Sequence, residues 1–250
     1  MLLTLPNQSI PVETWEGAPA VFEVDRTDKP PHVLAQDLGL AYGDELRRKQ
    51  LRALASVDDL VDKTFETLAG LEERYNTLGF YVSDNGTMWG EHGLSNKRSP
   101  YTESVGAPLM MRWPRRLPPG EADRRLAATI DIAPTALAAS GVRTESLNGA
   151  SLLRRHPERS HLLLEYWRDQ SGGHPGWASI RSRDYQYAEY FARPGKRVTF
   201  QELYRLRDDP WQLRNVLGDE SRANDPGAKA LAALHERLER DRACRANACP

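Results

Sequence analysis

Apolar residues recur at three- and four-residue spacing through Leu51, Leu54, Val57, Val61, Phe65 and Leu68, while Arg47, Arg48, Lys49, Asp58, Asp59 and Asp62 fall on the opposite face. That period predicts an amphipathic helix over about 45–70, closed near Gly70. Residues 78–82, Leu-Gly-Phe-Tyr-Val, are too few for another helix and read as a buried strand. A second short apolar run, 108–113, reads as a strand ended by the proline-rich turn over 114–120. Between the two lies a loop crowded with Asp84, Asn85, Glu91, His92, Lys97 and Glu103, the way a sheet presents polar groups beyond its strand ends.

Further on, Thr-Ile-Asp-Ile-Ala-Pro-Thr predicts a helix that begins at Asp131, carries Pro134 in its first turn and leaves through Gly141. From Ser160 onward the texture changes. Aromatic, strand-like runs over 161–167, 177–180, 185–191 and 200–206 are separated by glycine, proline and charge, which predicts a small antiparallel sheet. A final helix over 226–242 places Leu231, Leu234 and Leu238 on one face, to pack across that sheet. Ahead of all this, Pro6, Pro11, Pro19, Pro30 and Pro31 interrupt any regular pattern. The fold class is therefore α/β followed by a small antiparallel C-terminal sheet with a packed helix. The divisions are an extended segment over 1–44, an α/β part over 45–150 and a C-terminal α+β part over 151–250.

Size and charge narrow the chemistry. The 250 residues can bury a real core. With 35 acidic against 34 basic residues, no global field favours nucleic acid or an anionic membrane as partner. No apolar run reaches the roughly 20 residues of a membrane span, and the first residues lack the pattern of a signal peptide. Localisation is left open. The two cysteines, Cys244 and Cys249, stand close enough to form a small terminal loop or to remain two thiols.

Within the polar loop, Asp84 and Asn85 directly follow a strand, and Gly86 is expected to turn the chain sharply. Two hard oxygen donors of this kind suit calcium or magnesium, whereas a transition-metal site would favour His or Cys. Asp-Asn-Gly is also an ordinary turn sequence. Lys97 is placed to reach back towards the same point and bind an anion, or to be a solvated lysine. His92 is a candidate donor to a substrate oxyanion, or a hydrogen-bonded loop histidine. Trp167, His174 and Trp177 are candidates for a substrate rim, with burial in the small sheet as the commoner fate of such tryptophans.

Taken together, Ser83-Asp84-Asn85-Gly86, Gly90-Glu91-His92-Gly93, Lys97, Tyr101-Thr102-Glu103-Ser104 and Ala107-Pro108-Leu109-Met110-Met111-Arg112-Trp113-Pro114 resemble the sulfatase family, of the alkaline-phosphatase-like fold. Asp131-Ile132-Ala133-Pro134-Thr135 and Glu202-Leu203-Tyr204 with Asp208, Asp209 and Pro210 extend the resemblance towards the C-terminus. It implies a calcium-dependent sulfuric ester hydrolase, with Asp84 and Asn85 as metal ligands, Lys97 on the sulfate oxygens as a catalytic and substrate-binding group, and a sulfate ester as substrate.

The family's formylglycine arises from a cysteine in a Cys-x-Pro-x-Arg motif, and no such motif occurs here; Cys244 is followed by Arg-Ala-Asn-Ala. The family's first acidic metal pair is also without a counterpart, since Asp58 and Asp59 fall inside the amphipathic helix. The expectation is a C-terminal half of a sulfatase, inactive alone, with the missing N-terminal half as a partner and apolar faces left uncovered. The alternative is a non-catalytic binding module or complementing subunit of the same fold, and a phosphodiesterase of the superfamily ranks last.

Overall fold

The computed structural model describes residues 13–142, 147–153, 159–167, 174–192, 197–219 and 221–244. The helices are α1 (Pro31–Leu34), α2 (Leu40–Gly70), α3 (Thr102–Val105), α4 (Ile132–Ala139) and α5 (Ala228–Ala243). The strands are β1 (Gly79–Val82), β2 (Met88–Trp89), β3 (Ser95–Asn96), β4 (Leu109–Arg112), β5 (Leu162–Tyr166), β6 (Gly176–Arg181), β7 (Tyr185–Phe191) and β8 (Val198–Arg205).

The amphipathic helix is present and longer than its periodicity shows, starting at Leu40 behind Gly39. Its first turns carry no apolar stripe because they pack through a glycine. A side chain at Gly43 would meet the Trp89 carbonyl oxygen at 1.9 Å, so α2 lies directly against the β2 backbone. Beyond that point its apolar face is thinly covered, and Leu54, Val57 and Leu60 are exposed. At its far end Phe65 lies under the Arg112 guanidinium at 4.5 Å.

Strands β1 and β4 pair antiparallel, Gly79 opposite Arg112 and Val82 opposite Leu109. Residues 83–108 therefore form one long excursion from a two-stranded ribbon. A smaller hairpin sits inside it, with Met88 opposite Asn96 and Trp89 opposite Ser95. Its turn is built by Gly90 at φ 97° and Gly93 at φ 73°, conformations that favour glycine.

The aromatic runs form an antiparallel meander, β5-β6-β7-β8. Period-two alternation splits its side chains between two faces. Ala178, Ile180, Tyr187, Phe191 and Leu203 face α5, where Leu231, Leu234 and Leu238 cover them as their spacing predicts. Trp177, Ala188 and Tyr190 face the α/β part and meet Val105 of α3.

The junction between the two parts has a polar centre. Glu202, fully buried, accepts hydrogen bonds from Tyr101 at 2.9 Å, Tyr190 at 2.6 Å and Tyr204 at 2.7 Å. Burial raises its carboxyl above the ordinary range. Lys29, itself buried, pairs with Glu23 at 3.1 Å and Asp28 at 2.8 Å and donates to the Leu213 carbonyl. At α4, Asp131 accepts from the Ala128 and Ala150 amides and from both terminal nitrogens of Arg159. Burial pushes its carboxyl up, but the Arg159 and backbone donors outweigh this and hold it below the usual range. No helix among the described residues is long and apolar enough to cross a membrane. No described cysteine is free; Cys249 lies outside the described residues.

Candidate functional site

Asp84 and Asn85 leave the end of β1, and the hairpin of β2 and β3 brings residue 97 back beside them. Thr87 bonds the Asn96 carbonyl across its open end at 3.3 Å. The Lys97 ammonium stands 2.7 Å from Asn85 Oδ1 and 3.8 Å from Asp84 Oδ2. All three side chains reach solvent, with Asp84 82% and Lys97 46% exposed. One carboxylate, one amide oxygen and one ammonium thus converge on a single accessible point.

This point opens into a cleft of about 610 Å³. One wall is the loop with Asp84, Asn85 and Lys97, and the other is the C-terminal sheet, through Leu164, Tyr166, Trp177 and Arg181. Of the three rim candidates Trp177 alone lines the cleft. It is only 5% exposed, stacks with Tyr166 at 6.4 Å and donates its indole N–H to the Arg98 carbonyl at 2.7 Å. Trp167 is exposed, and His174 lies 5.7 Å from the ring of His32, which in turn sits 5.4 Å from Tyr190.

His92 stands apart from the other candidates. It is fully buried, its Nδ1 lies 2.6 Å from Glu23 Oε2, and its ring packs 4.1 Å from that of Tyr101. Burial lowers its pKa, against an opposing pull from Glu23. That is the hydrogen-bonded loop histidine weighed above, and it ties the segment before α1 to the polar loop. Glu91 caps the same turn by accepting from the Trp89 amide, and burial raises its carboxyl. Glu103, on α3, is pushed up to about 7 by burial.

The chain bends at Asp84 and Asn85, and Gly86 just after them, outside the positive-φ region, is required by close approach. Its amide donates to the Ser104 carbonyl at 3.0 Å, and an added Cβ would fall 2.0 Å from the Glu103 carbonyl oxygen. Sequence reasoning passed over Ser104. Its carbonyl holds Gly86, while its hydroxyl accepts from the Arg98 amide at 3.2 Å and the Ser99 amide at 3.4 Å. One buried residue thus fixes both sides of the site. In sequence Ser104 is the last residue of Tyr-Thr-Glu-Ser, and nothing local marks its hydroxyl as the acceptor for two amides.

A family model described as Sulfatase matches residues 11–142, and another, described as N-sulphoglucosamine sulphohydrolase, C-terminal, matches 90–243. The chain belongs to the sulfatase family. This sulfatase-family chain is 28% identical to an arylsulfatase of Volvox carteri over 88% of its own length and 38% of that protein. It is 28% identical to the Homo sapiens N-acetylglucosamine-6-sulfatase over 84% of itself and 43% of that enzyme. Among solved structures, one described as a complex with its substrate D-glucosamine-2-N,6-O-disulfate superposes with a TM-score of 0.68 at 26% identity, covering 79% of this chain and 40% of that one. The chain spans about two fifths of the length of these relatives. The helices, the ribbon and the four-stranded sheet are those of an alkaline-phosphatase-like sulfatase fold.

The donor set fits a hard cation in kind. Asp84 and Asn85 offer a carboxylate and an amide oxygen at an exposed strand end, and calcium takes 6–8 such oxygens. No described cluster of three or more His, Cys, Asp or Glu stands ready to hold a metal. The two residues would thus supply part of a coordination shell.

Proposed function

We propose that the Asp84, Asn85 and Lys97 cluster is the sulfate- and cation-binding part of a sulfuric ester hydrolase site, and that the nucleophile lies outside these 250 residues. The observation that carries the reading is the convergence of the Lys97 ammonium on Asn85 and Asp84 at the mouth of the cleft. An ammonium there offsets the charge on sulfuryl oxygens, most strongly as that charge grows in the transition state. Calcium, when bound by Asp84 and Asn85, would supply Lewis-acid polarisation. Lys97 orients the sulfate, the α3 backbone keeps the two loops in register, and Tyr166 with the sheet wall excludes water from one side.

The sulfated-sugar substrates named for relatives support a sulfate ester of a sugar as the substrate class. The exposed Leu54, Val57, Leu60 and Met110 support further polypeptide packing beside the ribbon. No Cys-x-Pro-x-Arg occurs in the sequence, so the covalent step has no nucleophile within it.

Two measurements test this. The isolated chain is expected to leave an aryl sulfate unhydrolysed above the buffer rate, and turnover lost in Lys97→Ala or Asp84→Ala would overturn the claim of inactivity. Inorganic sulfate is expected to shift the NMR signals of Lys97 and its neighbours in the native chain and not in Lys97→Ala. Identical titrations of the two proteins would overturn the binding role.

A further inference from the structure

Lys97 is bracketed by two non-glycine residues in left-handed conformations, Asn96 at φ 68° and Arg98 at φ 100°. Asn tolerates this region, but for a long side chain such as Arg it is strained, and the surroundings must offset the strain. The surroundings are visible. The Arg98 backbone is held on both sides of its Cα, its N–H by the buried Ser104 hydroxyl at 3.2 Å and its C=O by the Trp177 indole at 2.7 Å. Ser104 belongs to the same α/β part as Lys97, whereas Trp177 stands on β6, about eighty residues later in the chain.

We propose that Trp177 is a positioning residue for Lys97: its indole N–H pins the Arg98 peptide in the left-handed conformation that aims the Lys97 ammonium at Asn85 and Asp84. The C-terminal sheet thereby sets the geometry of the anion-binding lysine through the backbone of the loop that carries it. Three features favour this over simple core packing. The indole N–H is spent on a loop carbonyl rather than on its own sheet. The carbonyl it meets belongs to the strained residue next to Lys97. The tryptophan is itself immobilised, by burial and by the neighbouring Tyr166 ring. A rigid donor on a regular strand can hold a strained peptide, and a donor on a mobile loop would move with it.

The functional consequence rests on the sulfate-binding reading of Lys97, so the test has one arm with sulfate and one without. Trp177→Phe keeps an aromatic ring on β6 and removes the donor together with part of the buried ring volume, and the double variant below separates the two effects. In the absence of sulfate, backbone NMR couplings and intraresidue contacts of Arg98 are expected to leave the left-handed pattern in this variant. A double variant, Trp177→Phe with Arg98→Gly, is expected to return to it, because glycine adopts that conformation without strain.

In the second arm, Trp177→Phe is expected to bind inorganic sulfate about tenfold more weakly than the native chain, the effect of one net hydrogen bond. The double variant is expected to recover most of that loss, and both variants are expected to keep the cooperative thermal transition. An Arg98 that stays left-handed in Trp177→Phe would overturn the proposal, as would a loss of sulfate binding that the double variant fails to recover. A native chain that does not bind sulfate would instead defeat the reading of Lys97, while the sulfate-free arm still decides the role of Trp177.

Discussion

Replacing Gly86 by alanine tests whether the two sides of the site are registered through α3. The added Cβ would sit 2.0 Å from the Glu103 carbonyl oxygen and 2.5 Å from that of Gly106, against ordinary contact from 3.4 Å. Both obstacles are backbone, so neither can rotate aside. The loop or α3 must move by more than an ångström, and overpacking of this kind costs about 1–3 kcal/mol. The Gly86 amide would also lose its bond to the Ser104 carbonyl, a further ~1 kcal/mol. In a chain of this length that lowers the melting midpoint by roughly 4–16 °C. Because Ser104 also holds Arg98 and Ser99, the displacement should separate Lys97 from Asn85 and weaken binding of inorganic sulfate. Gly79→Ala is the control, since its Cβ would meet nothing closer than 3.9 Å and should change stability by less than ~1 kcal/mol. Calorimetric melting of both variants, with a sulfate titration of each, decides the matter. A Gly86→Ala protein that melts with the control and binds sulfate like the native chain would refute the reasoning.

Two further outcomes follow from buried carboxyls. Burial raises the Glu103 carboxyl from 4.5 in the unfolded chain to about 7 in the folded one. The unfolded state then releases its proton first as pH rises, so folding stability falls between those two values and is level above them. The loss is on the order of 3 kcal/mol. Glu103→Gln should flatten that slope in urea titrations at pH 5 and pH 8, and an unchanged slope would show that another group causes it. Glu202→Ala should cost about 3–5 kcal/mol by leaving three buried tyrosine hydroxyls without their acceptor. A midpoint in urea close to that of the native chain would mean that the junction is not held there.

Much of this architecture was legible in the residues. The alternation of the four C-terminal strands and the leucine face of α5 follow from burying one face of a regular element, and each is found; the 3.6-residue period of α2 is found as a helix whose apolar face stays thinly covered. The convergence of Asp84, Asn85 and Lys97 was also foreseen, since their order around a glycine-bounded hairpin leaves few other arrangements. What the sequence hid were contacts made by backbone. The start of α2 was missed because its packing residue is Gly43, which has no apolar signal. Gly86 was read as a turn, while its actual constraint is a carbonyl from another part of the chain. His92 lay among polar loop residues in sequence, and its burial against Glu23 and Tyr101 is set by partners 69 and 9 positions away.

Sequence alone determined the element types, the family and the identity of the groups that can meet a sulfate or a hard cation. These depend on local periodicity and on which side chains carry oxygen or charge. Tertiary structure alone decided which groups share a cleft, which are locked in the interior and what holds Lys97 in place. The hydroxyl of Ser104 and the indole of Trp177 hold the two backbone groups of Arg98 from 6 and 79 positions further along the chain. Their pairing depends on how the C-terminal sheet packs against α3, a property that no stretch of residues carries by itself.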